Sequence, residues 1–175
     1  MKKRGFSLLE LLVVIAVIAI MAMIAGPALY RLAPIQRLRG ETQNMAAFMR
    51  QARLKAAGSQ KPVRVVLNCA GRPCRLDMAT PIYNDNGEVN EWARIPGSGH
   101  ELARQVFARS EEAPPPGLPG GVYWVIFMPS GRTFSWPRPY SLDFHADDLR
   151  GINGPRWRLE VEHASGRVGI NHIRP

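Results

Sequence analysis

From Leu11 to Tyr30 the chain carries no charged side chain, and the run is apolar on every side of the helix it would form. Its twenty residues, at a rise of ~1.5 Å each, make a rod of ~30 Å, the thickness of a bilayer's hydrocarbon core. The next segment, PIQRLRGETQNMAAFMRQARLKAAG, is amphipathic. Leu38, Met45, Met49, Ala52 and Ala56 recur at three-, four- and seven-residue spacing, a stripe fit to lie on another surface. Arg37, Arg39, Arg50, Arg53 and Lys55 take the other faces. The two patterns join into one predicted helix over 6–57. Pro27 and Pro34 are expected to kink or loosen it, and Gly58-Ser59 before Lys61-Pro62 ends it.

Beyond Pro62 the period drops to two. Val63, Val65 and Leu67 alternate with Arg64, Val66 and Asn68, which predicts a strand running into a hairpin. Asn84-Asp85-Asn86-Gly87 marks a turn before a further segment to Ile95. A short strand is expected at Leu102–Ala108, followed by the loop APPPGLPGG. Val122–Met128 turns through Pro129-Ser130-Gly131 into Arg132–Trp136. Trp157, Leu159 and Val161 alternate with polar residues, and a turn at Ala164-Ser165-Gly166 leads to a last strand, Val168–Ile173. The expected fold class is α+β: one long helix whose lower half packs on a mainly antiparallel sheet domain. Phe127, Trp136, Leu142, Phe144, Trp157 and Leu159 are candidate core.

Charge sets the topology. Lys2, Lys3 and Arg4 precede the apolar run, and such cations stay on the cytoplasmic side. The remainder is therefore expected outside the cytoplasmic membrane, held by a single span. The formal charge is +9; without residues 1–5 it is 20 − 14 = +6. That balance permits acidic partners, lipid headgroups or nucleic acid and compels none. An extracytoplasmic location favours disulfides, and the two cysteines, Cys69 and Cys74, flank Ala70-Gly71-Arg72-Pro73. If those four residues form a hairpin loop, the cysteines oppose each other at a separation suited to a disulfide. So short a loop stabilises by only about 2 kcal/mol in the chain-entropy picture.

One acid, Glu10, sits just inside the apolar run. It is solvated at headgroup level, belongs to a cleaved secretory signal, or has a cationic partner within the membrane. A lone charge in hydrocarbon costs on the order of 3 kcal/mol on insertion scales. A secretory signal has no carboxylate in its apolar core, and Ala25-Gly26-Pro27-Ala28 is a poor cleavage site. The stretch Lys2-Lys3-Arg4-Gly5-Phe6-Ser7-Leu8-Leu9-Glu10 closely resembles the processing signal of type IV pilins and type II secretion pseudopilins. The resemblance implies cleavage by a prepilin peptidase between Gly5 and Phe6, N-methylation of Phe6, and a pilin-like fold. It divides the chain into a leader (1–5), a transmembrane part of the helix (6–30), an amphipathic periplasmic part (31–57) and a globular β domain (58–175). Cleavage would create an ammonium on Phe6, which Glu10 of a neighbouring subunit can pair with as a register device for assembly.

Ala46–Ala57 running into Lys61-Pro62-Val63-Arg64-Val65, the segment Val125–Arg132, and Trp157–Val161 with Ser165–Val168 resemble the H-type minor pseudopilins and the related fimbrial T minor pilins. The H-type resemblance implies a low-copy subunit near the tip of a periplasmic pseudopilus that supports export of folded proteins. Its implied partners are minor and major pseudopilins, the inner-membrane assembly platform and secreted proteins. The fimbrial T alternative implies pilus assembly or DNA binding through a C-terminal Gly-Arg-x-Arg motif. Gly166-Arg167-Val168-Gly169 matches its first two residues and lacks the second arginine. Arg158, Arg167 and Arg174, with Arg150, Arg156 and His172, are the candidate phosphate contacts in that reading.

No nucleophile elbow, phosphate-binding glycine loop or zinc spacing is present. His145-Ala146-Asp147-Asp148 reads as a polar loop rather than an acid–base or metal site. Asn84–Glu88 lacks the alternating acids of a calcium loop. The expectation is therefore no enzyme, no metal and no cofactor.

Overall fold

The computed structural model describes residues 8–112, 120–137, 140–146 and 156–173, without the side chains of residues 25–31. One helix, α1 (Leu8–Ser59), precedes ten strands: β1 (Val63–Asn68), β2 (Arg75–Tyr83), β3 (Val89–Arg94), β4 (His100–Glu101), β5 (Val106–Arg109), β6 (Val122–Phe127), β7 (Thr133–Trp136), β8 (Tyr140–Ala146), β9 (Arg156–Val161) and β10 (Val168–Ile173). The strands form two antiparallel sheets. One runs β3-β2-β1-β6-β7, with β4 also on β2, and the other runs β10-β9-β8-β5.

Helix α1 passes through Pro27 and Pro34 without ending. It stops where Gln60 takes a left-handed φ of 53°, and the Gln60 side-chain amide donates to the Ala57 carbonyl at 2.9 Å, satisfying one open end group. The stripe expected from spacing is the buried face. Leu38, Met45, Met49, Ala52 and Ala56 are all at most 1 % exposed. They pack against β1 and β6 of the first sheet and β8, β9 and β10 of the second, so the helix belongs to the same apolar core as both sheets. Thr42, buried in that stripe, turns its hydroxyl back to donate to the Leu38 carbonyl at 2.8 Å.

The strand alternation is equally direct. Val63, Val65 and Leu67 point inward and stand opposite Phe127, Val125 and Tyr123 of β6. Val65 and Leu67 also face Met78 and Leu76 of β2. Of the candidate core residues, Phe127, Trp136, Leu142, Phe144 and Leu159 are buried, while Trp157 is half-buried against the core. Asn84 builds the β2–β3 turn, its side-chain oxygen accepting from the N–H groups of Asn86 and Glu88.

Two expectations are corrected. The strand expected at Leu102–Ala108 is shorter and later, Val106–Arg109, because the Val106 N–H closes a turn onto the Ala103 carbonyl at 2.8 Å. His145 and Ala146 lie in no polar loop. They end β8, buried, with the His145 ring stacked on Phe107 at 5.4 Å. Asp147 and Asp148 lie outside the described residues, as does most of the APPPGLPGG loop.

The two Ser-Gly-Arg turns, at 130–132 and 165–167, meet each other. Thr133 donates from its N–H to the His163 carbonyl at 2.9 Å, tying the first sheet to the β9–β10 turn of the second. Gly166 holds a φ of 63°, and a Cβ there would lie 2.9 Å from the Gly131 carbonyl oxygen. Gly166→Ala is therefore expected to destabilise by about 1–3 kcal/mol, from backbone strain and the close approach together. Gly40→Ala, in the helix with open space around it, is expected to stabilise by about 0.5–1 kcal/mol. Urea unfolding of the detergent-solubilised chain distinguishes the two signs.

Candidate functional site

Every large apolar side chain from Leu8 to Ile24 is exposed, from 47 % at Val14 to 82 % at Leu8. An apolar surface of this extent on one chain marks a contact with lipid or protein. Among the described residues no helix is long and apolar enough to cross a membrane. The described apolar side chains end at Ile24, short of the run to Tyr30 that the sequence carries.

Glu10 lies in the first turn of α1, where the helix dipole favours an acid. Its side chain is exposed among these apolar neighbours and has no partner among the described residues. The unbroken helix keeps the chain's later cations away. Arg31, the next one in sequence, is twenty-one residues on, ~30 Å along the axis. A partner for Glu10 must come from the chain's own N-terminus or from another molecule. Gly5 and Phe6, the expected cleavage site, lie outside the described residues.

The disulfide forms. Cys69 and Cys74 are bonded, with Cα atoms 4.3 Å apart, just beyond the last β1–β2 pair, Asn68 opposite Arg75. Both flanks of this loop are tied down. The Cys69 N–H donates to the Gly121 carbonyl at 2.6 Å, and the Leu102 N–H to the Cys74 carbonyl at 3.0 Å. Arg72, in the loop, lies over the Phe107 ring at 5.0 Å.

The basic face is less free than its arginines suggest. Asp143, 5 % exposed on β8, stands opposite Arg158 of β9. Arg158 grips it bidentately, Nε to Oδ1 at 2.7 Å and Nη2 to Oδ2 at 3.0 Å. Its Nη2 also reaches Glu111 at 2.8 Å, and Arg156 lies 3.3 Å from Asp143. Hydrogen bonding to Asp143 raises the Arg158 pKa further. Arg158 is thus engaged within the protein, Arg167 is exposed, and Arg174 lies outside the described residues. Asp143 and His145 carried a signal in the sequence. Tyr140, Leu142, Phe144 and Ala146 alternate with Ser141, Asp143 and His145, a strand pattern with a charge on its second face.

Among the described residues no cluster of His, Cys, Asp or Glu could hold a metal ion.

Residues 1–26 match the family model described as the prokaryotic N-terminal methylation motif. Comparison with curated protein sequences finds no match. The structure resembles that of the minor pseudopilin EpsH from the type 2 secretion system of Vibrio cholerae, with a TM-score of 0.54 at 13 % identity over 78 % of this chain and 97 % of that one. The fold is that of a pseudopilin. The methylation motif and this fold thus occur in one chain, the motif overlapping the start of α1, and the long helix with its antiparallel sheet domain is the pilin-like architecture that the N-terminal motif implied.

The buried strand β8 carries a pH dependence. Burial holds the His145 pKa below its ordinary 6.5; Asp143 opposes this, and Arg156 and Arg109 add to it. The unfolded chain takes up a proton near its own pKa that the folded chain resists until lower pH. Stability from the neutral ring is complete above about pH 6.5 and is lost as pH falls through the folded value. Urea midpoints are expected to drop between about pH 7.5 and pH 5, and His145→Gln should flatten that slope.

Proposed function

We propose that the chain is a minor pseudopilin: a non-catalytic filament subunit, anchored in a bacterial inner membrane by the first half of α1, with its β domain in the periplasm. The observation that carries this reading is the division of α1. One half has its apolar residues exposed, with a single unpartnered acid among them, and the other half is buried in the sheet domain. The first half suits lipid and the helices of neighbouring subunits, and the second makes the domain move with its anchor.

In this reading a prepilin peptidase cuts between Gly5 and Phe6 and the new terminus is methylated. The ammonium of Phe6 on one subunit pairs with Glu10 on the next. An uncompensated carboxylate in hydrocarbon is costly, so the register that supplies the cation is favoured over others. The pair sets register more than it adds stability. The subunit sits near the tip of a short filament with other minor and major pseudopilins above an inner-membrane assembly platform, and the filament supports export of folded proteins. The engagement of Arg158 by Asp143 and Glu111 leaves the DNA-binding alternative without one of its three candidate arginines.

Glu10→Ala and Glu10→Val are expected to leave membrane insertion intact and to abolish incorporation into the filament. Alkaline extraction of membranes checks the first, and co-purification of tagged assembly partners checks the second. Normal co-purification with either variant would overturn the pairing.

A further inference from the structure

The rim of the β domain nearest the apolar half of α1 can be located from its contacts. Arg37 on α1 donates to the Gln105 side chain at 2.8 Å, just before β5. Arg39 lies over the Trp157 ring at 5.7 Å, near the start of β9. Trp157 in turn packs on His172, near the end of β10, with ring centroids 4.7 Å apart. The start of β9, the end of β10 and the approach to β5 therefore share one end of the domain. Arg37 is seven residues beyond Tyr30, where the apolar run stops, ~10 Å along the helix axis.

Among the described residues, that rim carries exposed cations. Arg37, Arg39 and Arg104 are exposed on it. From Leu11 to Gly40 the sequence contains no acid. The first acid after the run, Glu41, is turned inward, its side chain 17 % exposed. One Glu41 oxygen accepts from the Ala103 N–H at 3.3 Å, and the other lies 3.7 Å from His100 Nε2. Asp143 is committed to Arg156 and Arg158. Glu41 and Asp143 are thus engaged elsewhere rather than with Arg37, Arg39 or Arg104. The Trp157 indole, half-buried with its Nε1 covered, lies beside them.

We infer that Arg37, Arg39 and Arg104, with Trp157, form a collar that binds the anionic headgroups of the leaflet through which α1 emerges. The inference rests on the membrane anchoring proposed above and adds to it a lipid class and the residues that read it. Long arginine side chains reach from ~10 Å above the apolar boundary down to phosphate level while their stems lie along the helix and the rim. The collar holds the β domain against the bilayer, so that the domain sits at a set height and tilt before a filament takes it up. Cleavage between Gly5 and Phe6 would remove Lys2, Lys3 and Arg4, the cations preceding the span, and leave this outer set in charge of headgroup contacts.

The test uses the full chain reconstituted into vesicles of phosphatidylcholine alone or with phosphatidylglycerol, each doped with a headgroup spin-labelled lipid. Flotation reports the anchor. Quenching of tryptophan emission, with Trp157→Phe used to subtract the other indoles, reports the collar. Flotation is expected with both lipids. The Trp157 share is expected to be quenched about fivefold more strongly with phosphatidylglycerol at low salt, the effect of about one well-placed cation, and salt should erase the difference. The triple variant Arg37→Gln, Arg39→Gln, Arg104→Gln should lose the difference yet still float. The pair Arg50→Gln, Arg53→Gln, exposed farther along α1, should keep it. Flotation with equal quenching in both lipids overturns the collar and leaves the anchor standing. Failure to float overturns both. If quenching is equal and only the triple variant loses self-association, the arginines serve a second copy of the chain and the lipid assignment falls.

Discussion

The burial of one helical stripe holds this molecule together. Leu38, Met45, Met49, Ala52 and Ala56 are shut away against strands of both sheets. Each large side chain fully buried is worth roughly 1.5–3 kcal/mol. The alanines let the backbone approach the sheets closely, and the methionines fill the uneven space between strands of different direction. Without this contact the two sheets would share the Thr133–His163 link, the bond from the Tyr123 hydroxyl to the Ala108 carbonyl and the interleaved core side chains. With it, helix and sheets form one body.

The same helix changes partner at about its middle, and the change is written in side chains rather than in backbone. The helix continues through Pro27 and Pro34, though each proline, lacking an N–H, drops one backbone bond. Only the surface alters, from apolar on all sides to apolar on one stripe. An amphipathic half folds against its own domain. An all-apolar half finds nothing within its own domain to cover it. Glu10 sharpens the contrast, because its first-turn position suits the helix dipole while its surroundings do not suit its charge.

Much of this could be read in the residues because it depends on local period. The buried stripe follows from 3.6-residue spacing, and β1, β6, β9 and β10 follow from alternation with turn residues between them. The disulfide followed from two cysteines flanking a four-residue loop, and the structure forms it. What escaped depends on distant pairing. Strand β8 alternates as cleanly as β1, yet Pro137 precedes it and acids follow it, so its end read as a loop. The engagement of Arg158 requires β8 and β9 to lie in one register, which spacing within either strand does not reveal. The tether from Glu41 to Ala103 spans sixty-two residues and has no local signature. The N-terminal motif is the opposite case. Its proposed meaning, processing by another protein, concerns residues read from the sequence alone.

The length of the helix–sheet contact has a mechanical consequence. Ala56 lies eighteen residues beyond Leu38, ~27 Å or five turns along the axis. A tug on the apolar end along the axis loads these contacts side by side, in shear, instead of peeling them one after another. Many weak bonds strained in parallel yield at a far higher force than the same bonds opened in series. The domain would follow its helix under traction as one body.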